Sequence, residues 1–366
     1  MDNTTIIIDG YFLKTQRGVG LHLRNFLMEL QKSSRHKFVL LIPENAKSHV
    51  VASNNLDVIS IKQGNNIIMW YNVIIPFYSY KFNSRINLFP ANMIPFVPIK
   101  GLKIITLHDV IFLSEKVFDF KRRSLYQNFG RLFLRIIYRF CSIKNNRYIT
   151  VSNHSKSQIK FYLPKVTPTV IYQGPGQYFL NYKEIKNDTT LKNIVCFSSI
   201  DDRKNTQLAI DVFIKSKLYE KGYQLVLCGD VKKVSYVNHT IIVNPFYRIK
   251  LKERPSEELV TELLCDAACF LFLSEDEGFG LPIVEVSRLG VPVICSNRGA
   301  TAEIGKEIAY LVDIDNEEHI VDELIRICSN SLKPKQSPCE IDDAYNWENY
   351  VNQYLKLIDC IDTVND

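Results

Sequence analysis

The stretch Ala268–Glu303, ACFLFLSEDEGFGLPIVEVSRLGVPVICSNRGATAE, decides how this chain folds. Cys269–Leu273 is an unbroken apolar run, the pattern of a parallel strand covered on both faces. The turn Glu277-Gly278-Phe279-Gly280 follows, where two glycines open backbone conformations closed to other residues and let the chain approach a ligand closely. Pro282 suits a first helical position, at which a missing N–H costs nothing, and Ile283, Val286 and Leu289 recur at helical spacing. Gly290 ends that helix, and Pro292–Cys295 starts another strand.

Strand, glycine turn and helix aim backbone N–H groups and a positive dipole end at one point, around Phe279, Gly280 and Leu281, as phosphate sites do. Glu277 on the turn and Glu285 inside the helix can face the same ligand, where carboxylates accept hydroxyl hydrogen bonds from a sugar. The other reading is two solvated acids near a helix N-terminus, contributing about 0.3–1 kcal/mol. The residues alone leave both open.

EGFGLPIVE resembles the Glu-x7-Glu signature of retaining glycosyltransferases of family 4, and GVPVICSN resembles its continuation in that family. The resemblance implies the GT-B arrangement, two Rossmann-like α/β domains facing across a cleft. It also implies roles: Glu277 against the donor sugar and Glu285 on the nucleotide ribose.

A chain of 366 residues, 46% of them hydrophobic, can bury two cores. No apolar run is long enough to span a membrane, and MDNTTIIIDG has no basic region ahead of an apolar one, so a cytoplasmic protein is expected. Nine cysteines, an odd number without paired spacing, read as reduced core thiols rather than disulfides or a metal site. The net charge of +6 is unevenly spread. The first 165 residues hold 24 basic and 8 acidic side chains, a net of +16, against 21 and 31 in the rest, a net of −10. Such a front half suits an anionic partner: phospholipid head groups, a lipid-linked diphosphate or nucleic acid.

The first strand, Thr4–Asp9, leads through a glycine-bearing loop to a helix from about Gly20 with Leu23, Phe26, Leu27 and Leu30 on one face. Gly18-Val19-Gly20 lacks the third glycine of a dinucleotide fingerprint. GVGLHLRNFL nevertheless resembles the family's first loop, which lies close to the donor diphosphate and the acceptor. Arg17 and Arg24 read as surface charges. Strands are expected at Phe38–Ile42, Asp57–Ile61, Ile86–Phe89 and Lys103–Leu107, the last ending at His108-Asp109. Ligands of parallel sheets gather at such strand ends, although a histidine bonded to nearby backbone fits as well. ITLHDV resembles the ITxHD segment of the family's mannosyltransferase-like enzymes, which implies that His108 touches the donor sugar, while Asp109 reads as capping or orienting the following turn.

Residues 121–147 are the densest basic stretch. Arg131, Arg135 and Arg139 recur every four residues beside an apolar stripe of Leu132, Ile136 and Phe140, an amphipathic basic helix. It reads either as a helix packed on its domain with a solvated basic face or as a surface for anionic lipid. No recognition motif for nucleic acid accompanies it, and no nucleic-acid partner is expected. Ser152 and Ser155, in a TVSxxS-like segment, read as helix caps. A strand Thr169–Tyr172 closes the front domain, residues 1–180, and Asn181–Leu191 reads as a hinge.

The second domain, residues 190–345, opens with a strand Asn193–Ser198 and the turn IDDRKNTQ. A cationic pair at a first strand's carboxyl end suits a diphosphate leaving group. Arg203-Lys204-Asn205 resembles the family's RKN segment, which implies that Lys204 binds the donor diphosphate with Arg203 beside it. Ser198 stands where many members have a further arginine. Strands at Gln224–Gly229, Thr240–Asn244 and Ile308–Val312 and helices at Ser256–Ala267 and Glu317–Cys328 complete the domain. A helix at Asn346–Leu357 resembles the closing helix that returns to the front domain, so residues 346–366 are assigned there.

Together these features point to a metal-independent retaining glycosyltransferase. Its co-substrate is a nucleotide diphosphate sugar, with no other cofactor and no metal site; ITLHDV and RKN lean toward GDP-mannose, with a UDP-sugar as the alternative. The acceptor expected is a glycan on a polyprenyl diphosphate in bacterial surface polysaccharide synthesis, met at the inner face of the cytoplasmic membrane through 121–147. A nucleotide-sugar epimerase of the same fold and a non-catalytic glycan-binding protein are the rivals.

Overall fold

In the computed structural model the described residues are 5–15, 18–33, 36–114, 125–141, 146–181, 192–199, 201–230, 245–330 and 332–364. Arg17, the expected strand Thr240–Asn244, most of the expected hinge, residues 121–124 and 142–145, and the side chains of Arg139 and Phe140 lie outside the described residues. The chain divides into two units, Met1–Gln173 with Asn346–Asp366, and Gly174–Tyr345.

The first unit is built on β1 (Ile6–Asp9), β2 (Phe38–Pro43), β3 (Leu56–Ile61), β4 (Ile86–Phe89), β5 (Leu102–Leu107), β6 (Asn146–Thr150) and β7 (Thr169–Val170). They pair in parallel in the order β3-β2-β1-β4-β5-β6-β7. Ile6 stands beside Phe38 on one side and Ile86 on the other, and all four residues of β1 are buried, as continuous apolar strands require. The strand order turns back between β1 and β4, leaving a crevice at the carboxyl ends where ligands of open α/β sheets bind. The C-terminal helix Trp347–Val364 packs on the helix Val19–Ser33, where Tyr354 and Phe26, both fully buried, lie 5.0 Å apart.

The basic helix runs Leu125–Cys141, but its buried face is not the expected one. Asn128, Ile137 and Tyr138 face the core, whereas Ile136 of the expected stripe is 42% exposed. Arg135 turns inward, its Nε donating to the Phe112 carbonyl at 2.8 Å and Nη2 to that of Leu113 at 3.1 Å. A guanidinium that closes two helix-end carbonyls rotates the helix away from the stripe that spacing suggested.

The second unit repeats the plan with β8 (Asn193–Ser199), β9 (Gln224–Asp230), β10 (Ile249–Glu253), β11 (Ala267–Phe272), β12 (Val293–Ser296) and β13 (Tyr310–Val312). All pair in parallel in the order β10-β9-β8-β11-β12-β13, so the turning point lies between β8 and β11. The expected class, α/β with two Rossmann-like parallel sheets, is what the structure shows. The strand Ile249–Glu253 and the helices Gly299–Ile308 and Pro338–Ala344 were not anticipated, and Ile308 closes a helix instead of opening a strand.

Eight cysteine side chains are described, and all are free thiols. Cys196, Cys228, Cys265, Cys269, Cys295 and Cys328 are buried, and Cys339 and Cys360 are exposed. Burial pushes the Cys196 and Cys295 thiols up to about 12. Among the described residues no helix is long and apolar enough to cross a membrane.

Candidate active site

β8 and β11 are neighbours across the second sheet's turning point, so the loops that follow them meet. After β8 the Asp201 carboxylate accepts from the Arg203 N–H at 3.2 Å, and Asn205 takes a left-handed conformation with φ 48°. Asn205 Nδ2 then donates to the Leu273 carbonyl at 3.0 Å, and the Arg203 carbonyl accepts from the Glu275 N–H at 2.8 Å. These bonds stitch the two strand ends together.

Arg203 is largely spent within that seam. Its Nε and Nη2 reach Asp201 at 3.2 and 2.9 Å, and its Nη1 donates to the Asp276 carbonyl. Burial pushes the Asp201 carboxyl up, but the Arg203 charge and its hydrogen bonds outweigh this and hold it below the usual carboxylate value. Lys204 points elsewhere. Its ammonium pairs with Glu277 Oε1 and lies 4.9 Å from the centre of the Phe272 ring. Ser274 Oγ donates to the same Glu277 oxygen at 2.5 Å. Lys204 and Glu277 keep 23% and 17% of their side-chain surface exposed, enough for both to touch a ligand.

Beyond Glu277 the turn is fixed by burial and backbone. Phe279 is 4% exposed and sets its ring edge-on to Tyr345 at 6.0 Å. Gly280 precedes the helix Leu281–Arg288 with φ 96°, a left-handed conformation costly for any residue with a Cβ. Leu281 is therefore the first helical residue, and Pro282 the second rather than the first. Arg288 anchors the other end, with Nε 2.6 Å from Asp342 Oδ1 and Nη2 3.2 Å from the Leu180 carbonyl.

Glu285 is no solvated acid. It is 6% exposed and accepts from the Gly176 N–H at 3.0 Å. Burial lifts its carboxyl to about 8; the Gly176 bond opposes that rise and the charge of Glu257 adds to it.

In the first unit His108 follows β5. Its backbone N–H donates to Asn92 Oδ1 at 2.8 Å, and its Nε2 lies 3.0 Å from the Pro90 carbonyl, which can only accept. Nε2 therefore carries the proton. Burial lowers the ring's pKa, against the pull of that carbonyl, and a neutral ring offers Nδ1 as an acceptor. Asp109 Oδ1 caps the Ile111 N–H at 3.1 Å, and Ser152 caps the Ser155 N–H at 3.0 Å, both as expected. Ser155 Oγ donates to the His108 carbonyl at 3.1 Å, a role beyond capping.

Gly18, Val19 and Gly20 form the entry to the helix Val19–Ser33, where the Gly18 carbonyl accepts from the His22 N–H at 3.0 Å. Arg24, expected at the surface, braces this loop by donating to the Leu13 and Thr15 carbonyls at 3.2 and 2.7 Å. His22 escaped the sequence reading. It is 3% exposed, its Nδ1 lies 2.6 Å from Gln173 Oε1, its Nε2 lies 3.2 Å from the Tyr350 hydroxyl, and its ring meets that of His108 edge-on at 4.5 Å. Its position four residues before Phe26, on the helix's apolar face, was the available signal. Asp9 was missed too: it is 2% exposed and accepts from Trp70 Nε1, the Tyr71 hydroxyl and the Tyr11 N–H. Among the described residues no group of three or more His, Cys, Asp or Glu side chains is arranged to hold a metal ion.

Residues 180–340 match the family model of glycosyl transferases group 1. The O-antigen biosynthesis glycosyltransferase WclY of Escherichia coli is 26% identical over 48% of this chain and 50% of its own length. The chain spans about half the length of the first curated relatives it matches. Among solved structures, sucrose-phosphate synthase from Thermosynechococcus elongatus superposes with a TM-score of 0.70 at 14% identity, covering 99% of this chain and 100% of that one. Anabaena HepE in complex with UDP and glucose gives 0.64 at 14%, covering 98% and 100%. The likeness shows the fold, an α/β chain with two Rossmann-like parallel-sheet domains.

Proposed function

We propose that this protein is a retaining, metal-independent glycosyltransferase of the family 4 kind that moves a sugar from a nucleotide diphosphate sugar to a glycan acceptor. The observation that carries this reading is the Lys204–Glu277 pair, cation and carboxylate together at the turning point of the second sheet and both reachable by a ligand.

In this reading the donor diphosphate lies against Lys204 and the backbone of Phe279, Gly280 and Leu281, where an ammonium and a helix N-terminus offset charge as it develops. Arg203 acts mainly by holding Asp276 and the Glu277 turn in place. Glu285 takes the ribose hydroxyls and Glu277 the sugar. His108, with Nδ1 as acceptor, takes a sugar hydroxyl, and Gly18-Val19-Gly20 borders the reacting groups. The bond from the anomeric carbon to the diphosphate oxygen breaks, and its electron pair leaves on that oxygen. The acceptor oxygen then bonds to the same face of the anomeric carbon and passes its proton to the departing phosphate.

The name of the Escherichia coli relative and the basic front half favour a lipid-linked glycan acceptor in O-antigen or capsule synthesis at the inner face of the cytoplasmic membrane. GDP-mannose is the first donor to try and UDP-sugars the next. A nucleotide-sugar panel read by thermal unfolding tests the donor, because ligand at a hundredfold its dissociation constant stabilises by about 2.7 kcal/mol. Stabilisation that disappears in Lys204→Ala is the expected result. No response to any nucleotide sugar, or turnover unchanged in Glu277→Ala, would sink the proposal, and donor interconversion without acceptor would replace it with an epimerase.

A further inference from the structure

Helix 67–81 of the first unit turns an apolar face to solvent. It is made of three contiguous segments, Ile67–Met69, the wider π-helical turn Trp70–Ile74 and Ile75–Lys81. Its inner face is firmly held: Trp70 Nε1 and the Tyr71 hydroxyl donate to the buried Asp9 carboxylate at 2.8 and 2.6 Å, and Ile74 and Ile75 are buried. Asn72 apart, the outer face is apolar where a surface helix normally carries polar residues. Ile68, Met69, Val73, Phe77 and Tyr80 are all exposed, Phe77 by 59%. Phe96, 55% exposed, joins them, since its N–H donates to Asn72 Oδ1 at 3.0 Å.

The amides on this face are already satisfied. Asn66 Oδ1 accepts from the Ile68 and Met69 N–H groups at 2.9 and 3.1 Å, and Asn72 Nδ2 donates to the Ile68 carbonyl at 2.9 Å. Covering the face therefore strands few polar groups, and its burial is favourable in proportion to apolar area.

Charge selects what covers it. From residue 58 to residue 108 the sequence contains Lys62, Lys81, Arg85, Lys100 and Lys103 and no Asp or Glu. The Lys81 ammonium lies 5.5 Å from the centre of the Tyr78 ring and 5.9 Å from that of Phe77, so a cation borders the apolar stripe. A second copy of the chain would bring like charges together. An anionic bilayer accepts both parts at once, apolar side chains at the acyl boundary and ammonium groups at the phosphate level.

We propose that helix 67–81 and Phe96 form an interfacial docking surface that seats the first unit on an anionic phospholipid bilayer. The idea rests on, and deepens, the reading of a lipid-linked acceptor. Its test uses neither donor nor acceptor, so its failure would leave the transfer reaction standing.

The test is co-sedimentation of the full chain with phosphatidylcholine vesicles, with and without phosphatidylglycerol. Phe77→Ser with Phe96→Ser alters exposed rings only, and an unchanged melting curve verifies the fold. The wild-type chain should bind the anionic vesicles, and the double variant should bind at least about tenfold more weakly. Lys81→Glu with Lys100→Glu should remove the preference for anionic lipid. Three results would overturn the proposal: no binding by the wild type, binding that the double Ser variant leaves unchanged, or a wild-type dimer in sedimentation that this variant dissolves.

Discussion

The Gly176 N–H donates to the carboxylate of Glu285 at 3.0 Å, so a residue just inside the second unit's first boundary holds the acid assigned to the ribose. Because Glu285 is buried, its carboxyl is lifted to about 8 from 4.5. The folded chain then keeps a proton that the unfolded chain releases. Stability from this group is fully present below about pH 4.5 and is lost as pH rises through about 8. Glu285→Gln should flatten that dependence and make the protein more resistant to urea at pH 9 than the wild type, while weakening nucleotide binding about tenfold or more. Urea titrations at pH 5 and pH 9 with calorimetry of nucleotide binding measure both; a variant weaker than the wild type at pH 9 would contradict the assignment.

Lys204 and Glu277 are both partly exposed, so their ion pair adds little to folding. Lys204→Ala should shift stability by less than about 1 kcal/mol, yet lower kcat/KM by about 10²–10³-fold. Steady-state kinetics beside a melting curve separate these effects. Loss of folding in step with activity would mean that the lysine is a structural strut.

His22 has the opposite profile. Its removal leaves Gln173 and the Tyr350 hydroxyl without their shared partner in a buried site, and His22→Ala should cost about 2–4 kcal/mol. Chemical denaturation measures the loss. His108→Asn, at a half-buried position, should be milder on stability and harsher on turnover.

Two glycines give contrasting alanine scans. A Cβ at Gly20 would stand 2.7 Å from the Phe12 carbonyl and closer still to Thr15, so Gly20→Ala should destabilise by about 1–3 kcal/mol. A Cβ at Gly130, inside the helix Leu125–Cys141, meets nothing within 4 Å, and Gly130→Ala should stabilise by about 0.5–1 kcal/mol. Melting temperatures of the pair settle it.

Both sheets were legible because parallel strands buried on two faces are written as apolar runs such as Ile6–Ile8 and Cys269–Phe272. The edge strand Ile249–Glu253 was not, since its lysines at 250 and 252 break the run where one side is open. The helix Pro338–Ala344 carries a capping box at Ser337 and Glu340, a signal present in the sequence and overlooked beside its polar composition. The glycine turn brought Glu277 to notice, and the strand end with its RKN resemblance brought Lys204, but neither could give their pairing, which depends on β8 and β11 being neighbours. The inward turn of Arg135 and the bonds of His22 are tertiary facts with no local signature.

The cysteines provide an experimental handle. Of the eight described thiols, the six buried ones lie inside the apolar layers, where a thiolate-seeking reagent at neutral pH finds little to react with. The two exposed ones fall one to each unit, Cys339 in the second and Cys360 in the first. Among the described residues the unaltered chain thus offers a natural pair of attachment points, ready for spin labels or fluorophores that would report the distance between the units as nucleotide sugar is added.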